Sequence, residues 1–198
     1  MSAPRSTLAA PARLAQEIRK SKFVANAANA ASPEEALAFI ESVADRSATH
    51  NCWAWRIGQQ YRFNDDGEPS GTAGKPILQA IDGQGLDEVA VVMTRWFGGI
   101  KLGAGGLVRA YGGCAAECLR ATPRRELIDM AAVEFTLGFA AIPLLHSRLG
   151  EFQAIKVDEA FSGEGATLHL RLPSDRIDAL RALLGDLSRG RCQLRVLD

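Results

Sequence analysis

The sequence contains no apolar run long enough to cross a bilayer. A membrane-spanning helix needs roughly 18 to 20 consecutive apolar residues, and the N-terminal apolar run at residues 8–14 is interrupted by Pro11 and Arg13. We therefore expect a soluble chain without a processed leader and without a membrane partner.

Cysteine is scarce and shows no paired spacing. The chain of 198 residues has 4 cysteines and no CxxC pair, which excludes a disulfide framework and favours a cytoplasmic location. Cys114 and Cys118 are spaced to share one face of a helix, so they could bind a metal together with His50 or Cys52. The lack of a second closely spaced ligand pair favours small buried thiols instead. We therefore predict neither a metal site nor a cofactor.

The sequence also lacks an excess of charge of either sign. Its 23 basic residues balance its 23 acidic residues, so a nucleic-acid or anionic partner would have to be met by a local patch. One such segment exists. Between Glu88 and Glu117 there is no acidic residue, whereas Arg95, Lys101 and Arg109 lie inside the interval.

Hydrophobic periodicity predicts an α+β protein of two domains. Residues 130–198 alternate strand and helix patterns in the order β-α-β-β-α-β, which is the ferredoxin-like motif. Residues 20–122 form a separate β/α pattern, with a capped helix beginning at Ser32-Pro33 and a helix expected over residues 72–81. Residues 1–19 are set apart as an N-terminal extension. The boundary is expected near Thr122, where Pro123 and charged residues interrupt the pattern.

The glycine-rich segment 98–109 is the first candidate site. The stretch from Gly98 to Gly113 holds seven glycines, which indicates positive φ angles or a close approach to the main chain. A loop of this kind before a helix suits phosphate binding, although the spacing matches neither a P-loop nor a dinucleotide fingerprint. The alternative is a tight strand-to-helix turn. The candidate anion- or RNA-binding residues are Arg95, Lys101, Gly103, Gly105, Gly106, Arg109, Ser70 and Thr72.

The acidic segment 65–76 is the second candidate. Three carboxylates and two hydroxyls precede a helix, so the segment could act as a general acid/base cluster or hold Mg²⁺. The alternative is that the acidic residues and glycines shape a turn and that a hydroxyl caps the helix. We predict the structural role and no catalytic residue. The residues concerned are Asp65, Asp66 and Glu68, with His50 as a possible base and Ser70 or Thr72 as the cap.

Three strings of the sequence closely resemble the IMPACT/YigZ family. They are Ala48–Cys52, Asp65–Pro76 and Thr94–Tyr111, and the similarity extends over residues 20–121. The resemblance implies an N-terminal domain with the ribosomal-protein-type β/α fold of elongation factor G domain IV. It also implies a C-terminal domain similar to another domain of that factor. Eukaryotic members of the family regulate translation through a partner of the kinase of initiation factor two.

Two classes of function follow from these features. The first is a non-enzymatic RNA- or ribosome-associated protein involved in the regulation of translation, with a possible protein partner in translation control. The second is an enzyme or binding protein acting on a nucleotide or another phosphorylated small molecule. In that second class Lys101 and the glycine loop would hold phosphate, while the acidic loop would supply a base or bind Mg²⁺.

Overall fold

The structure, a computed structural model, describes residues 5–197. It divides into two compact units, with the division between Leu127 and Ile128. The elements of the first unit are β1 (Ser6–Leu8), β2 (Ala12–Ile18), β3 (Ser21–Asn29), α1 (Pro33–Val43), β4 (His50–Ile57), β5 (Gln60–Asn64), α2 (Gly74–Gly83), β6 (Val89–Trp96), α3 (Ala104–Ala121) and β7 (Arg124–Glu126).

A five-stranded antiparallel sheet, ordered β2-β3-β6-β4-β5, organises the first unit. Alternate residues of a strand point to opposite faces, so the central strands have a core on each side. On one face Phe23 and Met93 pack against Tyr111 of α3 and the residues of α2. On the other face Trp55 and Val92 pack with α1. The central strand β6 is therefore buried along nearly its whole length.

Residues 6–18, expected to lie in an extension, belong to the sheets of the first unit. β2 pairs with β3 along its full length, and β1 pairs with β7. The side chains of Leu14 and Ile18 pack partly buried against the main core. The expectation of an extension is corrected over this range, because alternating half-burial of a short edge strand gives a weak hydrophobic pattern. Residues 1–4 lie outside the described part.

The turn between β2 and β3 holds two residues in the left-handed region. Arg19 has φ 47° and Lys20 has φ 66°, a conformation in which a side chain is disfavoured. The turn is also packed against the start of the glycine segment, since a Cβ on Gly98 would lie 1.8 Å from the carbonyl oxygen of Lys20. A glycine is therefore required at position 98.

The second unit confirms the predicted order of strands and helices. Its sheet is antiparallel and ordered β11-β8-β10-β9. Leucine and phenylalanine side chains of the sheet form a core with α4 and α5. The α+β class is thus confirmed. The elements are β8 (Met130–Leu137), α4 (Ile142–Arg148), β9 (Ile155–Phe161), β10 (Ala166–Pro173), α5 (Ile177–Ser188) and β11 (Arg195–Leu197), with 3₁₀ turns at Phe139–Ala141, Leu149–Phe152 and Ser174–Arg176.

The helices of the described residues are short or rich in small and polar side chains. The longest, α3, has 18 residues, five of them glycine or cysteine within its first eleven positions. Within residues 5–197, no helix has the length and apolar character needed to cross a membrane.

Replacing Lys20 by glycine should stabilise the first unit. Glycine adopts φ 66° without steric cost, so Lys20→Gly should raise the free energy of unfolding by about 0.5 to 1 kcal/mol in urea denaturation. Gly58, at φ 58° with nothing near its Cβ position, is the matched control. Gly58→Ala should be destabilising by a similar amount. A lower urea midpoint for Lys20→Gly would contradict the strain assigned to this turn.

Candidate functional site

A buried ion pair between Glu68 and Arg95 lies at the end of β6. Arg95 is 5% exposed and Glu68 is 9% exposed. The Arg95 Nη1 atom donates to Glu68 Oε1 at 2.6 Å, and the Tyr111 hydroxyl donates to the same oxygen at 2.8 Å. Burial raises the pKa of Tyr111, which keeps its hydroxyl protonated as a donor. The carboxylate therefore joins the acidic loop, β6 and α3 in one contact.

The remaining contacts of Arg95 are also internal. Its Nη2 atom donates to Ser21 Oγ at 3.2 Å, and its guanidinium lies 5.4 Å from the Phe23 ring centroid and 5.6 Å from that of Phe97. The Nε atom has no hydrogen-bond partner among the described residues. From the sequence, Arg95 was expected to contact a phosphate together with Lys101 and Arg109. The structure corrects this, because the charge of Arg95 is buried and already neutralised by Glu68.

Asp65 caps the start of α2. Its carboxylate accepts the backbone N–H groups of Gly71, Ala73 and Gly74 at 2.7, 3.0 and 2.8 Å. The free N–H groups of a first helical turn are satisfied by such an acceptor. The expectation that Ser70 or Thr72 caps this helix is wrong. The Asp65 carboxylate already accepts these N–H groups, and the Thr72 hydroxyl donates to the Pro69 carbonyl instead.

Asp66 and His50 close the acidic loop against β4. The Asp66 carboxylate accepts the N–H of Asn51 at 2.5 Å, and the Asp66 carbonyl lies 2.6 Å from His50 Nδ1. The Nε2 atom of the same imidazole lies 3.9 Å from Glu68 Oε1. All three carboxylates of the loop are thus engaged in contacts that shape it. Among the described residues, no group of three His, Cys, Asp or Glu side chains is placed to hold a metal ion.

Three of the four cysteines, Cys52, Cys114 and Cys118, are buried thiols, and Cys192 is half-buried. Burial raises the pKa of Cys52 and of Cys114 to about 12 and that of Cys118 to about 11. The Cys52 thiol donates to the Asp65 carbonyl at 3.0 Å. Protonated thiols in such surroundings are poor nucleophiles and poor metal ligands.

The glycine segment forms an exposed loop that leads into α3. Lys101 is exposed, Gly103 has φ 72°, and α3 begins at Ala104. Besides Gly98, two glycines have a packing role, Gly106 in this segment and Gly112 further along α3. A Cβ on Gly106 would lie 3.0 Å from Leu102 Cβ, and one on Gly112 would lie 3.4 Å from Pro76 Cβ of α2. The tight-turn alternative is therefore supported at those positions, while the exposed N–H groups near Gly103 stay available to a ligand.

A cationic pocket lies between the β2–β3 turn and the second turn of α3. Arg19 of the turn and Arg109 of the helix both line it. Arg109 is among the residues predicted from the sequence and Arg19 is not, because residues 1–19 were expected to form an extension. The dipeptide Arg19-Lys20 lacks the glycine, asparagine or aspartate that usually marks a two-residue hairpin turn, so the sequence carried no clear signal of it. The lining residues are Ile18, Arg19, Leu102, Gly106, Arg109 and Ala110.

Removing the charge of Glu68 should destabilise the first unit strongly. Glu68→Gln leaves Arg95 as a buried charge without its counterion, so we expect a loss of about 3 kcal/mol in the free energy of unfolding. Tyr111→Phe removes one hydrogen bond and should cost about 1 kcal/mol. Urea denaturation measures both, with Glu41→Gln on an exposed face of α1 as the control. A Glu68→Gln variant as stable as the control would show that the ion pair contributes little.

Comparison with known proteins assigns both units. Residues 19–119 match the family model of the Impact N-terminal domain, and residues 135–191 match DUF1949, a domain of unknown function. The chain is 34% identical over 93 residues to the rabbit protein IMPACT, a similarity that covers 43% of this chain and 29% of that protein.

Bacterial relatives and a solved structure match over nearly the whole length. An IMPACT family member from Thermus thermophilus is 50% identical over 176 residues, covering 88% of this chain and 97% of the relative. IMPACT family member YigZ from Escherichia coli is 36% identical over 197 residues, covering 96% of each chain. A crystal structure titled as a hypothetical protein has a TM-score of 0.76 at 34% identity and covers 100% of this chain and 99% of that one. These matches confirm what the motifs indicated: the chain belongs to the IMPACT family.

Proposed function

We propose that this protein is a non-enzymatic, RNA- or ribosome-associated factor of the cytoplasm that takes part in the regulation of translation. The observation that carries the proposal is a pair of exposed, uncompensated cations beside the glycine loop. Within residues 5–197 neither Lys101 nor Arg109 has an ion-pair partner, and both lie in the segment without acidic residues. A local cationic surface on a neutral protein favours a polyanionic partner.

The glycine loop adds backbone donors to these side chains. The N–H groups near Gly103, Gly105 and Gly106 lie at the exposed beginning of α3, where an RNA phosphate could accept hydrogen bonds. Ser70 is exposed and could add a hydroxyl. Thr72 is buried and bonded to Pro69, so we assign it a structural role. Arg95 stiffens the strand end from which the loop leaves.

The topology of the second unit supports a link to translation factors by analogy. We propose a ferredoxin-like fold for it, which its four antiparallel strands in the order β11-β8-β10-β9, packed with α4 and α5, support. We propose that this unit resembles a domain of elongation factor G and that the first unit resembles domain IV of the same factor. This fold analogy supports an RNA partner but does not define which RNA is bound.

An enzyme acting on a phosphorylated small molecule is the second candidate. His50 favours it, because its Nε2 atom lies 3.9 Å from Glu68 at the rim of a polar cluster. The engagement of Asp65, Asp66 and Glu68 in structural contacts weighs against it, since each of the three carboxylates already accepts a hydrogen bond that shapes the loop.

Lys101→Gln should weaken RNA binding in a salt-dependent way. Each lost contact with a single-stranded phosphate lowers the slope of log affinity against log salt by about 0.7. The slope can be measured by fluorescence anisotropy with a labelled single-stranded RNA. Arg62→Gln, which removes an exposed charge from β5, is the matched control. An unchanged slope for Lys101→Gln, or no binding by the wild-type chain at low salt, would reject the proposal.

Asp66→Asn separates the two candidate functions. If the acidic loop is structural, the variant should lose no more than about 1 kcal/mol of stability and keep its RNA affinity. The comparison requires thermal denaturation, RNA binding and an assay of nucleotide turnover with Mg²⁺. Turnover by the wild-type chain that disappears in a normally folded Asp66→Asn variant would establish the enzyme instead.

A further inference from the structure

We propose that Arg19 and Arg109 together form a binding site for one phosphate group. This inference rests on the proposed RNA partner and adds two things to it: a residue outside the glycine loop, and the place where one phosphate is held. The two arginines are 90 positions apart in the chain and line the same pocket, one from the β2–β3 turn and one from α3.

The size of the pocket suits a small anionic group. Its volume of about 280 Å³ lies just below the range of roughly 300 to 1,000 Å³ that is usual for drug-sized ligands. Gly106, which has no side chain, lines the pocket together with Arg109.

Both arginines are carried by parts of the fold that are held in place. The turn bearing Arg19 is closed by the pairing of Ile18 with Ser21 and is packed against Gly98. Arg109 extends back along its helix, since its Nη1 atom lies 3.6 Å from the Cβ position of Gly105. The backbone positions of the two exposed arginines are therefore already fixed, so binding an anion has to order only their side chains.

The charge of the pocket is uncompensated. Within the described part of the chain, neither Arg19 nor Arg109 has a hydrogen-bond or ion-pair partner, and the lining contains no acidic side chain. The other walls are mostly apolar, formed by Ile18, Leu102 and Ala110. An anion bound in this pocket would supply the opposite charge that the described residues around it do not.

Phosphate is the anion that this arrangement favours. Guanidinium groups donate paired N–H bonds to phosphate oxygens, and phosphate offers enough oxygens to accept from two of them at once. In RNA the group could be an internal phosphodiester or a terminal 5′-phosphate, and the two share the chemistry that the pocket recognises.

The test uses the full chain and two labelled single-stranded RNAs of one sequence, with a 5′-phosphate or a 5′-hydroxyl. We expect Arg19→Gln and Arg109→Gln each to weaken binding about tenfold, the size of a lost charge-assisted contact. Because both hold one phosphate, the double variant should lose less than the product of the two single losses. The control Arg62→Gln should change affinity less than twofold, and its effect should multiply with that of Arg109→Gln.

The outcomes separate the source of the phosphate. If the 5′-phosphorylated RNA binds more tightly and Arg19→Gln abolishes the difference, the pocket holds a terminal phosphate. If both RNAs bind equally and both variants weaken them, it holds an internal phosphodiester.

The failure of this site can be told apart from the failure of the proposed function. Arg19→Gln behaving like Arg62→Gln, while Lys101→Gln weakens RNA binding, would overturn the pocket and leave the RNA partner standing. If the wild-type chain binds no RNA, titration with inorganic phosphate decides. A rise in the melting temperature of the wild-type chain with phosphate, lost in Arg19→Gln, would support the phosphate site even without an RNA partner. No rise in the wild-type chain would overturn the site.

Discussion

The buried pair of Glu68 and Arg95 is the contact on which the arrangement of the first unit depends. A buried charge is tolerated only where a counterion and further hydrogen bonds satisfy it. Here the carboxylate accepts hydrogen bonds from Arg95 and Tyr111, and the guanidinium also donates one to the Ser21 hydroxyl. One pair of charges thereby connects the acidic loop, the end of the central strand, the helix that packs on it and the neighbouring strand β3.

The two loops that carry the family motifs receive their shapes from this connection. On one side the acidic loop is fixed between β4 and α2, with Asp65 capping the helix and Asp66 bonded to Asn51. On the other side Ser21 Oγ accepts the N–H of Gly98 at 3.3 Å, which seats the first residue of the glycine loop on the β2–β3 turn. Most charged residues of the motifs, namely Asp65, Asp66, Glu68 and Arg95, therefore stabilise the fold. The cations that have no ion-pair partner among the described residues lie near the glycine loop.

This distribution explains how a chain without net charge can present a basic surface. The carboxylates of the acidic loop accept hydrogen bonds from backbone N–H groups and from Arg95. By contrast, Lys101, Arg109 and Arg19 have no ion-pair partner among the described residues. Overall neutrality therefore says little about the local field at the entrance to α3.

Local patterns determined a large part of this structure. The alternation of apolar residues in the second half predicted its strands and helices in their observed order. Ser32 and Glu35 predicted the start of α1, where the serine hydroxyl accepts the Glu35 N–H and the Glu35 carboxylate accepts the Ala31 N–H. The motif strings identified the family. These features depend on residues within a few positions of one another, so the sequence alone expresses them.

Tertiary structure decided which charged residues are buried and which are exposed. Whether Arg95 is exposed depends on Glu68, 27 positions away, and the cap of α2 comes from Asp65, eight and nine positions before the N–H groups it accepts. Arg19 reaches the pocket of Arg109 because β2 joins the sheet, which its weak alternation did not reveal. Charge in a sequence specifies what a residue can bind, but long-range strand pairing decides which charges are buried together and which are left for a partner.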